Sequence, residues 1–142
     1  MINLDRFITA QENDYDRALS EIVNGKKVSH WMWYIFPQFH GLGLSSTSVF
    51  YAINSREEAI AYLNHDVLSA RLIEISKALL LHKNKTATEI FGRPDDMKLK
   101  SCMTLFSLVT ENDSVFHQVL KQYFDGKIDL RTKELLMAQL KV

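Results

Sequence analysis

Ten residues constrain this chain more than any others: Ser29-His30-Trp31-Met32-Trp33-Tyr34-Ile35-Phe36-Pro37-Gln38, which hold both of its tryptophans beside a tyrosine, a phenylalanine and a histidine. A helix that is apolar on every side has no solvent face and must thread the middle of a fold. The few polar groups of the run are His30, the indole N–H groups and Gln38. They then require partners inside the protein, since a buried unpaired donor costs ~1–3 kcal/mol. Two roles satisfy this requirement: a central strut, or one wall of a ligand pocket. The run by itself is compatible with either.

Glycine and proline divide the rest of the chain. All five glycines (Gly25, Gly41, Gly43, Gly92, Gly126) and both prolines (Pro37, Pro94) fall between periodic segments, where helix ends and turns want them. Between them the apolar spacing is helical. Ala18, Leu19, Ile22 and Val23 form one stripe, Leu68, Leu72, Ile75 and Leu79 a second, and Leu99, Cys102, Met103, Phe106 and Val109 a third. Val119, Leu120, Tyr123 and Phe124 continue the pattern up to Gly126, and Leu135, Leu136 and Leu140 predict a last helix. Start signals agree. Ser55 with Glu58, and Thr86 with Glu89, have capping-box spacing. Asp66 and Asp113-Ser114 read as N-caps, Ser29 as the cap of the aromatic helix, and Pro94-Asp95-Asp96 as a helix start. No segment alternates with period two. The expectation is an all-α, compact single domain over residues 1–142, a bundle of about seven or eight helices around a buried aromatic helix.

Charge and cysteine content narrow the function classes. Seventeen basic and seventeen acidic residues cancel, so no global field draws in nucleic acid or an anionic membrane, and neither is an expected partner. The near-apolar stretch Trp31–Pro37 is far short of the ~20 residues that span a bilayer. The first residues, Met1 to Arg6, lack the basic start and apolar core of a signal peptide. One cysteine, Cys102, excludes an internal disulfide and fits a reducing compartment. The expected location is the cytoplasm.

Chemistry-bearing patterns are sparse. The five histidines (His30, His40, His65, His82, His117) show no ligand spacing and Cys102 stands alone, so no metal or cofactor is expected. Cys102 lies on an apolar stripe and reads as a small core residue. Neither a nucleophile elbow nor a phosphate loop occurs, and Gly41-Leu42-Gly43 lacks the strand and third glycine of a dinucleotide site. The loop from Gln38 to Ser48, with two glycines and a cluster of hydroxyls, suits ligand contact or else a simple turn capped by Ser46 or Ser48. Asp95, Lys98 and Ser101 fall at helical spacing along the border of an apolar stripe, where a cleft would open; they equally suit a solvated helix start. His30 is the acid–base candidate by type, or else a hydrogen-bonded core residue.

The residues Asp5-Arg6-Phe7, Ala10-Gln11, Ser29 to Gln38, Gly41-Leu42-Gly43 with Ser45, Ala61-Tyr62-Leu63 with His65, Arg71-Leu72, Glu89 to Gly92, and Pro94-Asp95-Asp96 with Lys98, Ser101 and Met103-Thr104-Leu105-Phe106 together resemble one family. It is the bacterial and fungal domain family of unknown function whose members are often labelled calpastatin in genomes. The likeness runs from about Leu4 to Leu136 and implies an all-α fold. It implies no reaction. The calpastatin label does not carry over, because true calpastatins are long disordered inhibitors and this chain is short and aromatic. Polar side chains belong to the family's motifs as well as apolar ones, which implies a shared small-molecule site.

The leading expectation is a pocket between the Ser29–Gln38 segment and the helix starting near Asp95. His30, Trp33, Gln38, Asp96, Lys98 and Ser101 are its ligand-binding residues. An aromatic wall beside a lysine suits a small planar or anionic metabolite of nucleotide-derivative type. No residue pattern assigns a catalytic group. The rival is a helical protein–protein interaction module in which the same residues are core.

Overall fold

The structure, a computed structural model, is described over residues 2–140. Among the described residues the chain forms nine helices: α1 Asp5–Val23, α2 Met32–Ile35, α3 Ser46–Phe50, α4 Arg56–Asn64, α5 Asp66–Leu80, α6 Ala87–Phe91, α7 Asp95–Ser107, α8 Val115–Phe124 and α9 Leu130–Gln139. The all-α class follows. Strand-like pairing among these residues is confined to a bridge between Phe39 and Ile53. The count exceeds the expected seven or eight because α2, α3 and α6 are single-turn helices, too short to carry a periodic stripe.

The long helices form where the stripes predict them. Leu68, Leu72, Ile75 and Leu79 of α5 are buried, as are Leu99, Cys102, Met103 and Phe106 of α7. Helix α1 adds Phe7, Tyr15, Ala18 and Ile22. These faces meet where α1 packs on α5, α5 on α8 and α7 on α8. Tyr62 is central: its ring lies 5.2 Å from Phe7, nearly perpendicular, and 5.4 Å from Phe106, which in turn lies 5.6 Å from Phe116. Such offset and edge-on contacts add ~0.5–1.5 kcal/mol each beyond burial.

Caps match in chemistry but not always in residue. Thr86 and Glu89 make a complete capping box. Ser55 and Ser114 accept from the amides of Glu58 and His117. The Glu58 carboxylate does not complete the box; it accepts from Arg6 at 2.7 Å and from the Asn54 amide at 3.1 Å. Helix α5 is capped by His65 rather than Asp66: its Nδ1 accepts from the amides of Val67 and Leu68. Gly25, at φ +79°, closes α1 by donating to Ile22, while Lys26 donates to Glu21. Its left-handed backbone is the conformation a helix C-terminus of this kind requires.

The aromatic run departs from expectation. It is not a helix through the core but one turn, Met32–Ile35, entered at Trp31 without a side-chain cap. Pro37 explains the stop, since a proline disfavours helical backbone in the residue before it; Phe36 leaves the helix at φ −122°, ψ 73°. Ser29 does not cap this turn, because its hydroxyl donates to Glu21. Trp31, Met32, Ile35 and Phe36 are buried, whereas Trp33 and Tyr34 are half-buried. The segment therefore has a solvent edge.

Candidate functional site

Glu21, in the last turn of α1, holds the start of the aromatic segment. Its Oε1 accepts from the amides of Val28 (2.7 Å) and Ser29 (2.9 Å) and from the Trp31 indole (2.9 Å), and its Oε2 accepts from the Ser29 hydroxyl (2.6 Å). Desolvation pushes this carboxyl up, but the four hydrogen bonds outweigh it and bring the pKa down to about 2. From the other side, Gln11 of α1 donates to the Tyr34 carbonyl at 2.8 Å. Trp31, Phe36 and Phe91 then stack within 5.7–6.4 Å of one another, which docks the segment on α6. The Tyr34 hydroxyl donates to the Asp14 carboxylate; with desolvation leading, this contact raises the phenol well above its ordinary range.

The same docking brings the segment to the start of α7. Lys27 donates to the Ser29 carbonyl at 2.6 Å and lies 2.9 Å from the Asp95 carboxylate. Lys98 reaches the other oxygen of Asp95 at 3.2 Å. The Lys27 ammonium lies 5.0 Å from the centre of the Trp31 ring, and the Lys98 ammonium 5.0 Å from that of Trp33. Two cations thus share the carboxylate of Asp95, one of them over the partly buried indole of Trp33. Asp95 suits its place as well, since an acid in the first turn favours the helix dipole.

Of the six residues singled out in the sequence, Trp33 and Lys98 meet directly. Asp96 and Ser101 share α7 with Lys98, but their polar atoms turn to the protein. Asp96 is buried, accepting from the Thr88 hydroxyl (2.7 Å) and the Met97 amide (2.8 Å). The Ser101 hydroxyl lies 3.1 Å from both the Met97 carbonyl and an Asp129 carboxylate oxygen. Gln38 is half-buried and its carbonyl accepts from the Ile53 amide at 2.9 Å. His30 is exposed, three residues before Trp33. Glu21 and Lys27 were not legible as members of this arrangement. Lys27 carries one weak signal, a cation placed just before the aromatic run; Glu21 carries none, because its partners come around the turn that follows α1.

The principal surface clefts lie elsewhere. One of about 700 Å³ runs between α1 and α3, one of about 590 Å³ lies at the start of α9, and one of about 520 Å³ lies between α4 and the loop before α8. Among the described residues no three His, Cys, Asp or Glu side chains are grouped to hold a metal, and no helix is long and apolar enough to cross a membrane. Cys102 is sealed in the core, and burial pushes its thiol well up.

A family model described as a protein of unknown function, DUF1810, matches residues 1–136. The chain belongs to the DUF1810 family. The crystal structure of the conserved hypothetical protein Rv1873 from Mycobacterium tuberculosis is similar to this DUF1810 chain, with 45% identity and a TM-score of 0.92 over 94% of this chain and 96% of that one. No curated protein matches it at a significant level. Family membership therefore fixes the architecture and leaves the chemistry of this DUF1810 chain to its side chains.

Proposed function

We propose that this DUF1810 chain is a cytoplasmic small-molecule-binding domain that takes a planar, anionic metabolite of nucleotide-derivative type on the surface between residues 29–38 and the start of α7. One observation carries the reading: the Lys98 ammonium lies 5.0 Å from the centre of the partly buried Trp33 ring, while the carboxylate of Asp95 that it pairs with is already held by Lys27. In this reading Trp33 stacks on the ligand's flat part and Lys98 meets its anion, with exposed His30 at the edge. Asp96, Ser101 and Gln38 shape the surroundings.

Thermal-shift titration with adenosine and guanosine mono- and diphosphates tests it. A ligand at ~100 times its dissociation constant adds ~2.7 kcal/mol of stability, a shift of several degrees. Trp33→Ala and Lys98→Ala should each remove the shift while leaving the circular dichroism spectrum unchanged. No shift with any nucleotide, or a shift that survives both substitutions, refutes the reading. The second reading, a protein–protein interaction module, is favoured by the exposure of Leu44 (94%), Val49 and Phe50 within seven residues of one another. A mass that stays monomeric across concentrations, with no change on Leu44→Asp, counts against self-association through that stretch.

A further inference from the structure

The cleft of about 700 Å³ between α1 and α3 has a composition unlike the Trp33–Lys98 surface. One wall is α1. Asp5, Thr9 and Asn13 stand four residues apart on it, each about 6 Å further along one helix face, and all three are exposed. Among the described residues none of the three makes a side-chain hydrogen bond; Asp5 is engaged only through its amide, which donates to Asn3. Facing them is Phe50, 58% exposed and braced edge-on by Tyr51 at 4.8 Å and 84°. Arg6, at the base, is already spent: it donates to the carbonyls of Asn3 and Ala52 and lies 2.7 Å from the Glu58 carboxylate.

These facts limit the ligand. The guanidinium is neutralised by Glu58, so the cleft offers no free cation to an anion. Asp5 sits in the first turn of α1, where the helix dipole offsets part of its charge. What is left is one carboxylate, that of Asp5, one aromatic face opposite it, and a row in which hydroxyl and amide groups continue the polar wall. A flat apolar ligand would cover that row and leave its donors and acceptors unpaired, at a cost in every group. A sugar ring fits both walls, because its C–H face is apolar and its edge carries hydroxyls. We propose that this cleft binds a neutral saccharide, stacked on Phe50 and hydrogen-bonded to Asp5, Thr9 and Asn13. The site shares no residue with the Trp33–Lys98 surface and does not depend on the nucleotide reading; of the exposed stretch Leu44, Val49 and Phe50 it uses Phe50 alone.

Saturation-transfer NMR on the full chain, with maltose, cellobiose and diacetylchitobiose as probes and tetramethylammonium and AMP as controls, decides it. At least one disaccharide receives saturation, and the signal is unchanged between low and high salt, as befits an uncharged ligand. Phe50→Ala weakens that binding by about tenfold, the worth of an aromatic contact. Asn13→Ala, on an exposed helix face where the fold is not at stake, weakens it as well, and Lys98→Ala leaves it unchanged. The proposal is overturned if no disaccharide receives saturation, or if transfer persists in both Phe50→Ala and Asn13→Ala. It is equally overturned if the ligand these two substitutions displace is AMP or tetramethylammonium, which would make the cleft an anion or an ammonium site.

Discussion

Replacing Glu21 with alanine tests the physical core of this structure, because four donors lose one acceptor group at once. Their fates differ. Val28 is exposed and Ser29 half-buried, so their amides and the Ser29 hydroxyl regain water. Each then costs on the order of 0.5 kcal/mol or less. Trp31 is fully buried, and its indole N–H loses its acceptor, at a cost of ~1–3 kcal/mol when orphaned. The expected loss is ~2–4 kcal/mol, a large part of the ~5–15 kcal/mol that stabilises a domain. Urea unfolding reads this as a fall in midpoint of about 1–2 M with little change in slope.

Two further measurements separate the mechanism from a generic defect. Glu21→Gln keeps an acceptor for the indole and costs about half as much or less, since it loses charge assistance and not the partner. In a Trp31→Phe background the donor is gone, so the added cost of Glu21→Ala drops by ~1–3 kcal/mol. Acid titration gives a third reading. A carboxyl held at about 2 in the fold, against 4.5 for the free group, contributes stability that is complete above about pH 5 and disappears as the pH falls through 2. If Glu21→Ala leaves the urea midpoint within error of the parent chain, or Glu21→Gln is as damaging as Glu21→Ala, the hydrogen-bond account is wrong.

Three other outcomes are expected. Ser76 is fully buried and its hydroxyl has no partner among the described residues, so Ser76→Ala is neutral or raises stability by up to ~1 kcal/mol in urea unfolding, and a clear loss would reveal a missed partner. Arg6→Ala leaves the Glu58 carboxylate, 10% exposed, without its cation and costs ~2–4 kcal/mol, part of which returns in the double variant with Glu58→Gln. Lys27→Met costs ~1–3 kcal/mol in the same assay, because an 8% exposed ammonium leaves the Ser29 carbonyl and Asp95 behind; Lys98→Met, at a 25% exposed position, stays within ~0.5 kcal/mol of the parent chain.

The fold was legible because its signals are local. A stripe such as Leu68, Leu72, Ile75 and Leu79 needs no knowledge of what it packs against, and the box of Thr86 with Glu89 closes within one turn. The errors fall where a tertiary partner outbid a local one. Ser29 was suited to cap the aromatic segment, but Glu21, eight residues earlier, took its hydroxyl. Glu58 was suited to complete a box with Ser55, but Arg6, fifty-two residues away, took its oxygen. Helix α5 is the local exception: its cap is His65, one residue before the expected Asp66, and the His65 ring nitrogen accepts from the amides of Val67 and Leu68. In the candidate site, spacing along α7 placed Asp96, Lys98 and Ser101 on one short stretch, but it could not tell which of them faces inward. Asp96 and Ser101 turn to Thr88 and Asp129, residues of other segments, and only the assembled fold shows it.

The division between Trp31 and Trp33 follows from one turn of geometry. Two positions apart on a helical turn the side chains diverge, so a single turn cannot bury both indoles against the same neighbour. Trp31 goes to Phe36 and Phe91, and Trp33 is left at the edge. Asp95 then serves both sides, drawing Lys27 toward the buried ring and Lys98 toward the partly buried one. The two lysines are not equivalent. Lys27 is closed off and spends its charge on holding the segment to α7, work that packing alone would require. Lys98 is three times as exposed, and holding the segment does not call for it, since Asp95 already has a nearer cation. A lysine that stability does not need, kept over an indole that burial took only in part, is the part of this surface on which the proposed ligand reading rests.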